Sequence, residues 1–150
     1  MVIPALKRLK EKYDFKFLII ANKNPNYKDI QYDYIAWNLE SEITDLLKIN
    51  IGLMPLIDTE FQLGKCAFKA IQYMSLGIPA VVSPVGANCE VVTDGINGFW
   101  ANSESEWYEK IEILIKDKSL REKMGSASSI KIQKEYSVEA TKKAFYDLFV

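Results

Sequence analysis

The polar residues with the most informative spacing lie between Asp58 and Gln72. Lys65, Lys69 and Gln72 stand at positions i, i+4 and i+7, so they form one narrow polar stripe if residues 65–76 are helical. Two lysines near the amino end of a helix oppose the helix dipole, and a bound anion would reverse that penalty. Free amide groups at the same end would supply hydrogen-bond donors for the anion. A solvated face with ordinary surface lysines explains the stripe about equally well.

Two phosphate-binding motifs do not fit this segment. The pair Gly64-Lys65 resembles the end of a P-loop. However, Thr59 stands where the first glycine belongs, and Cys66 replaces the serine or threonine that binds magnesium. No Gly-x-Gly-x-x-Gly follows a predicted strand either, so the dinucleotide-binding fingerprint is absent from the sequence.

Composition restricts the chemistry further. The 150 residues include no histidine, which excludes Ser-His-Asp hydrolysis, Cys-His proteolysis, histidine-ligated zinc and histidine-based proton transfer. A formal net charge of −1 provides no overall field for nucleic acid or an anionic membrane, so any anion site must be local. Cys66 and Cys89 show no metal or redox spacing and are predicted to be small buried hydrophobes. Without a long apolar run or a signal-peptide core, cytoplasmic localisation is expected.

Alternating strand and helix patterns predict an α/β fold for a single domain over 1–150, with a Rossmann-like parallel sheet and helices on both faces. Strands are predicted at 15–21, 32–37, 49–56, 79–83 and 98–101. The first strand is almost continuously apolar, which is typical of a strand covered on both faces. Helices are predicted over 4–13, 65–76 and 138–148. Two more helices are predicted to begin after the capping residues Asn38 and Ser103. A further short helix is predicted to begin at the cap Ser119 and to end at Gly125. The inner face of the helix after Asn38 is predicted to comprise Ile43, Leu46 and Leu47.

These elements bring the candidate residues to one edge of the sheet. Ligands of open α/β sheets bind beyond the carboxyl ends of the strands, where the loop 57–64 leads into the helix predicted to start at Lys65. Trp37 ends the second strand at the same edge, where core packing accounts for it. In a second loop, from Ser83 to Glu90, Gly86 permits close backbone approach or simply forms a turn.

A longer pattern resembles one protein family. The sequence reads GLMPL at 52–56, GKCAFKAIQYMSLGIPAVVSPVG at 64–86 and EVVTDGINGF at 90–99. These segments resemble the group 1 (family four) glycosyltransferases, strongly over the central third of the chain, and the remaining elements agree in order. A match of this length is much less expected by chance than a motif of six residues.

The resemblance implies a GT-B enzyme built from two Rossmann-like domains. The carboxy-terminal domain of such an enzyme binds a nucleoside-diphosphate sugar, and an amino-terminal domain binds the acceptor, a glycan or a lipid-linked molecule. The implied reaction transfers a hexosyl group with retention of configuration and needs no cofactor or metal. The donor-binding residues implied here are Gly64, Lys65, Phe68, Lys69, Gln72 and Trp37. Trp37 lies where this family binds the nucleotide base and could stack on it, although core packing explains this residue slightly better.

The sequence departs from the family at a pair of glutamates. The usual Glu-x7-Glu pattern falls on Gly64 and Gln72. Gln72 can still hydrogen-bond ribose hydroxyls, but it carries no charge. Gly64 cannot replace a carboxylate, and Glu60 is the remaining candidate for a catalytic role, although its spacing differs from that of the family.

The resemblance also carries expectations about the whole enzyme. The family's domain normally begins with a strand that precedes the predicted helix 4–13, so we expect Met1 to be an artificial start. The absence of a central strand would leave neighbouring strand edges unpaired and favour self-association. We further expect the isolated chain to be inactive, the full enzyme to associate peripherally with a membrane, and nucleic acid not to be a partner.

Two other functions are compatible with the sequence. A nucleotide-sugar epimerase uses the same two-domain architecture, but it would need acid-base residues in the cleft, and no convincing set is present. A non-catalytic Rossmann-like or flavodoxin-like interaction module would show no response to any nucleotide sugar.

Overall fold

The structure, a computed structural model, describes residues 2–149, in which five strands are interspersed with helices. Met1, predicted to be an artificial start, lies outside the described residues. The elements are α1 (Val2–Lys10), β1 (Leu18–Ala21), β2 (Asp33–Ala36), α2 (Glu42–Leu46), β3 (Gly52–Met54), α3 (Glu60–Leu63), α4 (Phe68–Ser75), β4 (Ala80–Val82), α5 (Asn88–Val91), β5 (Gly98–Trp100), α6 (Glu104–Lys116), α7 (Lys118–Glu135) and α8 (Val138–Tyr146). This order confirms the predicted Rossmann-like α/β fold.

The strands are parallel throughout but divide into two sheets. β1 pairs with β2 in one sheet, and the other sheet has the order β3-β4-β5. Among the described residues, four strands, β1, β2, β3 and β5, therefore each have one edge without a strand partner. This division explains why β1 is only half-buried, in contrast to the predicted strand covered on both faces.

The core lies on both faces of β4, which is the central strand of its sheet. Val81 packs into a cluster with α1 and α6, whose largest buried side chain is Trp107. Val82 points to the opposite face and packs with α4, where Met74 is fully buried. Alternate residues of β4 thus join two helical layers, as the pleat of a strand requires.

Helix α7 is longer than predicted. It does not stop at Gly125, and its amino-terminal cap is Asp117, whose side chain accepts a hydrogen bond from the Leu120 amide at 2.8 Å, not Ser119. The glycine serves another purpose, because a Cβ atom at Gly125 would lie 2.0 Å from the carbonyl oxygen of Gly77. Gly125 thus permits close packing of α7 against the end of α4 rather than ending a helix.

The prediction for α2 was wrong in two respects. Its amino-terminal cap position is Ser41, not Asn38. Leu46 is buried as predicted, but Ile43 and Leu47 are 53% and 58% exposed. A helix of five residues presents too narrow an apolar face to bury all three side chains, and its other buried residue is Asp45.

Both cysteines are exposed, so the prediction that they are buried was wrong. Cys66 lies in the loop before α4, and Cys89 lies on the outer side of the short helix α5. By contrast, the capping box of α6 is confirmed, since Ser103 and Glu106 exchange their side-chain and backbone hydrogen bonds.

Candidate functional site

The segment between β3 and α4 differs from the predicted loop and helix. Residues Glu60–Leu63 form α3, which the Thr59 side chain caps by accepting a hydrogen bond from the Gln62 amide. Helix α4 then begins at Phe68 rather than at Lys65. The preceding residue, Ala67, has a φ angle of 54°, and this left-handed conformation prevents the helix from extending further toward the amino terminus.

The amino end of α4 presents open hydrogen-bond donors. In the described part of the chain, the amides of Phe68, Lys69 and Ala70 donate to no backbone carbonyl, as expected for a first helical turn. The Gly64 amide differs, because it donates to the carbonyl oxygen of Glu60 at 3.4 Å. The donors available for an anion are therefore those of the helix itself rather than that of Gly64.

Three of the predicted residues meet around a glutamate that the sequence did not single out. The Glu42 carboxylate accepts a hydrogen bond from Trp37 Nε1 at 2.8 Å and lies 3.6 Å from Lys69 Nζ. Gln72 joins the group because its Oε1 accepts from Lys69 Nζ at 2.8 Å and its side chain also hydrogen-bonds Glu42. We call these four residues the Glu42 cluster.

The Glu42 cluster joins elements that are distant in sequence. Trp37 directly follows β2, Glu42 opens α2, and Lys69 and Gln72 lie in the first two turns of α4. The cluster therefore lies beyond the carboxyl end of β2, against α4. This is the edge of a parallel α/β fold at which ligands bind.

The electrostatics of the cluster keep the glutamate charged. Hydrogen bonds from Trp37 and Gln72, followed by the nearby Lys69 ammonium, hold the pKa of the Glu42 carboxyl below its ordinary value. The Glu42 side chain is only 16% exposed, whereas that of Lys69 is 43% exposed. Lys69 can therefore contact both the carboxylate and a ligand in the solvent.

The remaining candidates lie outside the cluster. Lys65 Nζ lies 5.8 Å from the centre of the Phe61 ring, and no carboxylate of the described residues forms an ion pair with it. Phe68 is 58% exposed at the start of α4, and Glu60 is exposed at the start of α3. The two lysines of the predicted stripe are thus in different settings, one in the loop and one in the helix.

The second predicted loop, from Ser83 to Glu90, packs directly against this segment. A Cβ atom at Gly86, whose φ angle is +55°, would lie 2.7 Å from the carbonyl oxygen of Leu63. The Ser83 hydroxyl accepts a hydrogen bond from the Leu56 amide at 2.9 Å, and Asn88 Nδ2 donates to the Ser83 carbonyl at 2.9 Å. Gly86 therefore permits a close backbone approach that supports the end of α3.

The part of the chain that the structure describes contains no group of three or more histidine, cysteine, aspartate or glutamate side chains arranged to hold a metal ion. None of its helices is both long enough and apolar enough to cross a membrane.

The fold and the site together define a class of protein. Parallel strands with helices on both faces, and an open helix end beyond the strands, are the arrangement of Rossmann-like ligand-binding domains. Residues 1–130 match the model of the family described as glycosyl transferases group 1. Because the match spans most of the sequence, the chain belongs to this family. No curated protein matches the chain.

Solved structures agree with the family. Sucrose-phosphate synthase from Thermosynechococcus elongatus superimposes with a TM-score of 0.78 at 15% identity, over 99% of this chain and 41% of that chain. HepE from Anabaena, in complex with UDP and glucose, superimposes with a TM-score of 0.71 at 15% identity, over 98% of this chain and 43% of that chain. The C-terminal domain of the group 1 protein LpcC from Francisella tularensis superimposes with a TM-score of 0.59 at 19% identity, over 91% of this chain and 64% of that chain.

The chain therefore has the fold of the carboxy-terminal domain of GT-B glycosyltransferases. It spans less than two thirds of the length of each of these structures.

Proposed function

We propose that this chain binds the nucleoside-diphosphate sugar of a retaining GT-B glycosyltransferase, which transfers a hexosyl group to a glycan or lipid-linked acceptor. Membership of the group 1 family supports the reaction class. The related fold of HepE, whose structure contains UDP and glucose, supports a donor of this type. An amino-terminal domain would supply the acceptor site, so the isolated chain is expected to bind the donor without transferring the sugar.

The convergence of Trp37, Lys69 and Gln72 on Glu42 carries this proposal. The cluster provides a 39% exposed indole, an amide and an ammonium group within one site. An aromatic face suits a nucleotide base, and the polar groups suit ribose and phosphate. The cluster adjoins the open amides at the start of α4, so a base and a pyrophosphate could bind side by side.

The pyrophosphate would bind between Lys65 and the amino end of α4. Lys65 forms no ion pair among the described residues, and the amides of Phe68, Lys69 and Ala70 are open. Two ammonium groups and the helix dipole would offset the phosphate charge, so we propose that donor binding needs no metal ion or cofactor. We also propose a cytoplasmic enzyme that associates peripherally with a membrane.

The lysines provide the test. Isothermal titration of the wild-type chain with UDP-glucose, GDP-mannose and ADP-glucose should detect saturable binding of at least one of them. The double variant Lys65→Ala/Lys69→Ala should abolish that binding, because it removes both ammonium groups. The control Lys118→Ala/Lys123→Ala removes the same charge from exposed positions on α7 and should bind as the wild type does. Undiminished binding by the first variant would refute the assignment.

A further inference from the structure

The Glu42 cluster contains a negative charge at a site proposed to bind an anionic ligand. Glu42 is the only acidic member of the cluster, and Lys69 is its ion-pair partner. A phosphate close to this carboxylate would be repelled, whereas a hydroxyl group could donate a hydrogen bond to it. The two ends of the site thus prefer different parts of a ligand: phosphate near Lys65 and hydroxyl groups near Glu42.

The carboxylate also has hydrogen-bonding capacity left. Its two oxygens offer about four acceptor positions. Three donors of the protein reach it: Trp37 Nε1, Lys69 Nζ and the Gln72 amide group. The Gln72 amide nitrogen must be the donor in its contact, because an ionised carboxylate only accepts hydrogen bonds. The Gln72 Oε1 atom faces the other way and accepts from Lys69 Nζ at 2.8 Å. At least one acceptor position on Glu42 therefore remains for a ligand hydroxyl.

The protein holds the carboxylate in a fixed orientation. The indole of Trp37 anchors Glu42 through a hydrogen bond of 2.8 Å, so the ring and the carboxylate keep a constant relation. In Rossmann-like domains, a carboxylate beyond a neighbouring parallel strand is a common partner of ribose hydroxyls. Glu42 follows β2, and a base stacked on Trp37 would bring its ribose toward Glu42.

We propose that Glu42 binds the ribose hydroxyls of the nucleoside diphosphate. Glu42 of α2 would thus provide the carboxylate that is missing from α4, where Gln72 stands at the position of the family's second glutamate. This inference rests on the proposed function, because it requires that the chain bind a nucleoside diphosphate. Glu42 then sets the direction in which the ligand lies, with the ribose at α2 and the phosphates at the start of α4.

The test compares ligands that differ only in the ribose hydroxyls. The dissociation constants of UDP, GDP and ADP are measured by isothermal titration with the full chain, each against its 2′,3′-dideoxy form. The variants are Glu42→Gln, which keeps an acceptor for Trp37 but removes the charge, and Glu40→Gln, a control that removes the same charge from an exposed neighbour. Thermal melting verifies that both variants are folded.

For the wild type and Glu40→Gln, we expect the ribose form to bind about ten-fold more tightly than the dideoxy form, as a charge-assisted hydrogen bond would give. In Glu42→Gln, the ratio should fall toward one while the dideoxy form keeps its wild-type affinity. An unchanged ratio in Glu42→Gln, or a ratio near one in the wild type, would overturn the role of Glu42 and leave the proposed function standing. Failure of the wild type to bind any of the three diphosphates would overturn both.

Discussion

At the scale of single residues, the site depends on contacts that link positions far apart in the sequence. Lys69 and Gln72 could be selected from their helical spacing, and Trp37 from its place in the family's base-binding region. Glu42 could not, because its significance comes from Trp37, which follows β2, and from Lys69 and Gln72 of α4, which approach Glu42 only in the folded chain. Linear spacing predicts neighbours within one helix, but it does not identify a carboxylate on another element.

The indole nitrogen of Trp37 should matter separately from its ring. Trp37→Phe keeps an aromatic face but removes the hydrogen bond to Glu42, so the carboxylate loses an anchor. We expect nucleoside-diphosphate affinity to fall about ten-fold, the full loss expected for the proposed Glu42–ribose hydrogen bond, because a carboxylate without this anchor no longer faces the ribose. Isothermal titration measures the change. Trp100→Phe, which removes an indole bond to the Val92 carbonyl at 2.9 Å, is the control and should leave the affinity unchanged.

At the scale of elements, one close approach between helices can be tested. Gly125 of α7 meets Gly77 at the end of α4, and a Cβ atom there would lie 2.0 Å from a backbone oxygen, which no side-chain rotation relieves. Gly125→Ala should therefore destabilise the fold by about 1–3 kcal/mol, because overpacking outweighs the helix preference of alanine, worth about 1 kcal/mol. Urea denaturation measures this change.

Gly64→Ala is the matched control for this prediction. Gly64 has a φ angle of −74°, and the nearest atom to an added Cβ is the Phe61 carbonyl oxygen at 3.7 Å. The free energy of unfolding of the Gly64→Ala variant should equal that of the wild type or exceed it by about 0.4–1 kcal/mol. Equal destabilisation by both substitutions would contradict the proposed packing of α7 on α4.

The contact between α6 and the residues that directly follow α1 should make stability depend on pH. Glu112 accepts hydrogen bonds from Lys12 at 2.8 Å and Tyr13 at 2.7 Å, and these partners lower its carboxyl pKa from 4.5 to about 2. Because the Glu112 pKa is lower in the folded chain than in the unfolded chain, the ionised carboxylate stabilises the fold at pH values above about 4.5. This stabilisation is lost as the pH falls from about 4.5 toward 2.

Glu112→Gln should therefore be less stable than the wild type at neutral pH, and the difference should shrink as the solution is acidified through that range. Urea denaturation at several pH values measures it. Glu104→Gln breaks an exposed pair with Arg8 between the same helices and should cost less than about 1 kcal/mol. A difference for Glu112→Gln that stays constant down to about pH 2 would disprove the role of this carboxylate.

The elements also show which sequence signals were sufficient. The capping box of α6 and the positions of the five strands along the chain follow from local patterns, and the structure agrees with both. The residue at which α4 begins cannot be predicted from local patterns, because Ala67 is left-handed, against the usual preference of alanine for right-handed helix. The buried face of α2 depends on what packs against it, which periodicity alone does not specify.

At the scale of the whole molecule, the division into two sheets has a consequence in solution. Four strands, β1, β2, β3 and β5, each have one edge without a strand partner among the described residues, and unpaired edges recruit other strands. We therefore expect the isolated chain to associate with rising concentration. Size-exclusion chromatography with light scattering over a dilution series measures this. A strictly monomeric, cooperatively folding protein at all concentrations would contradict the expectation.

The central claim is that the edge formed by β2 and α4 binds a nucleotide sugar. The most direct measurement is a 15N NMR titration of the chain with UDP-glucose, GDP-mannose and ADP-glucose. We predict saturable shifts for at least one ligand, concentrated at the Trp37 indole and at the amides from Lys65 to Gln72. Absence of shifts with all three ligands would contradict the claim. So would shifts confined to a remote surface such as the groove lined by Lys10, Tyr13 and Gln31.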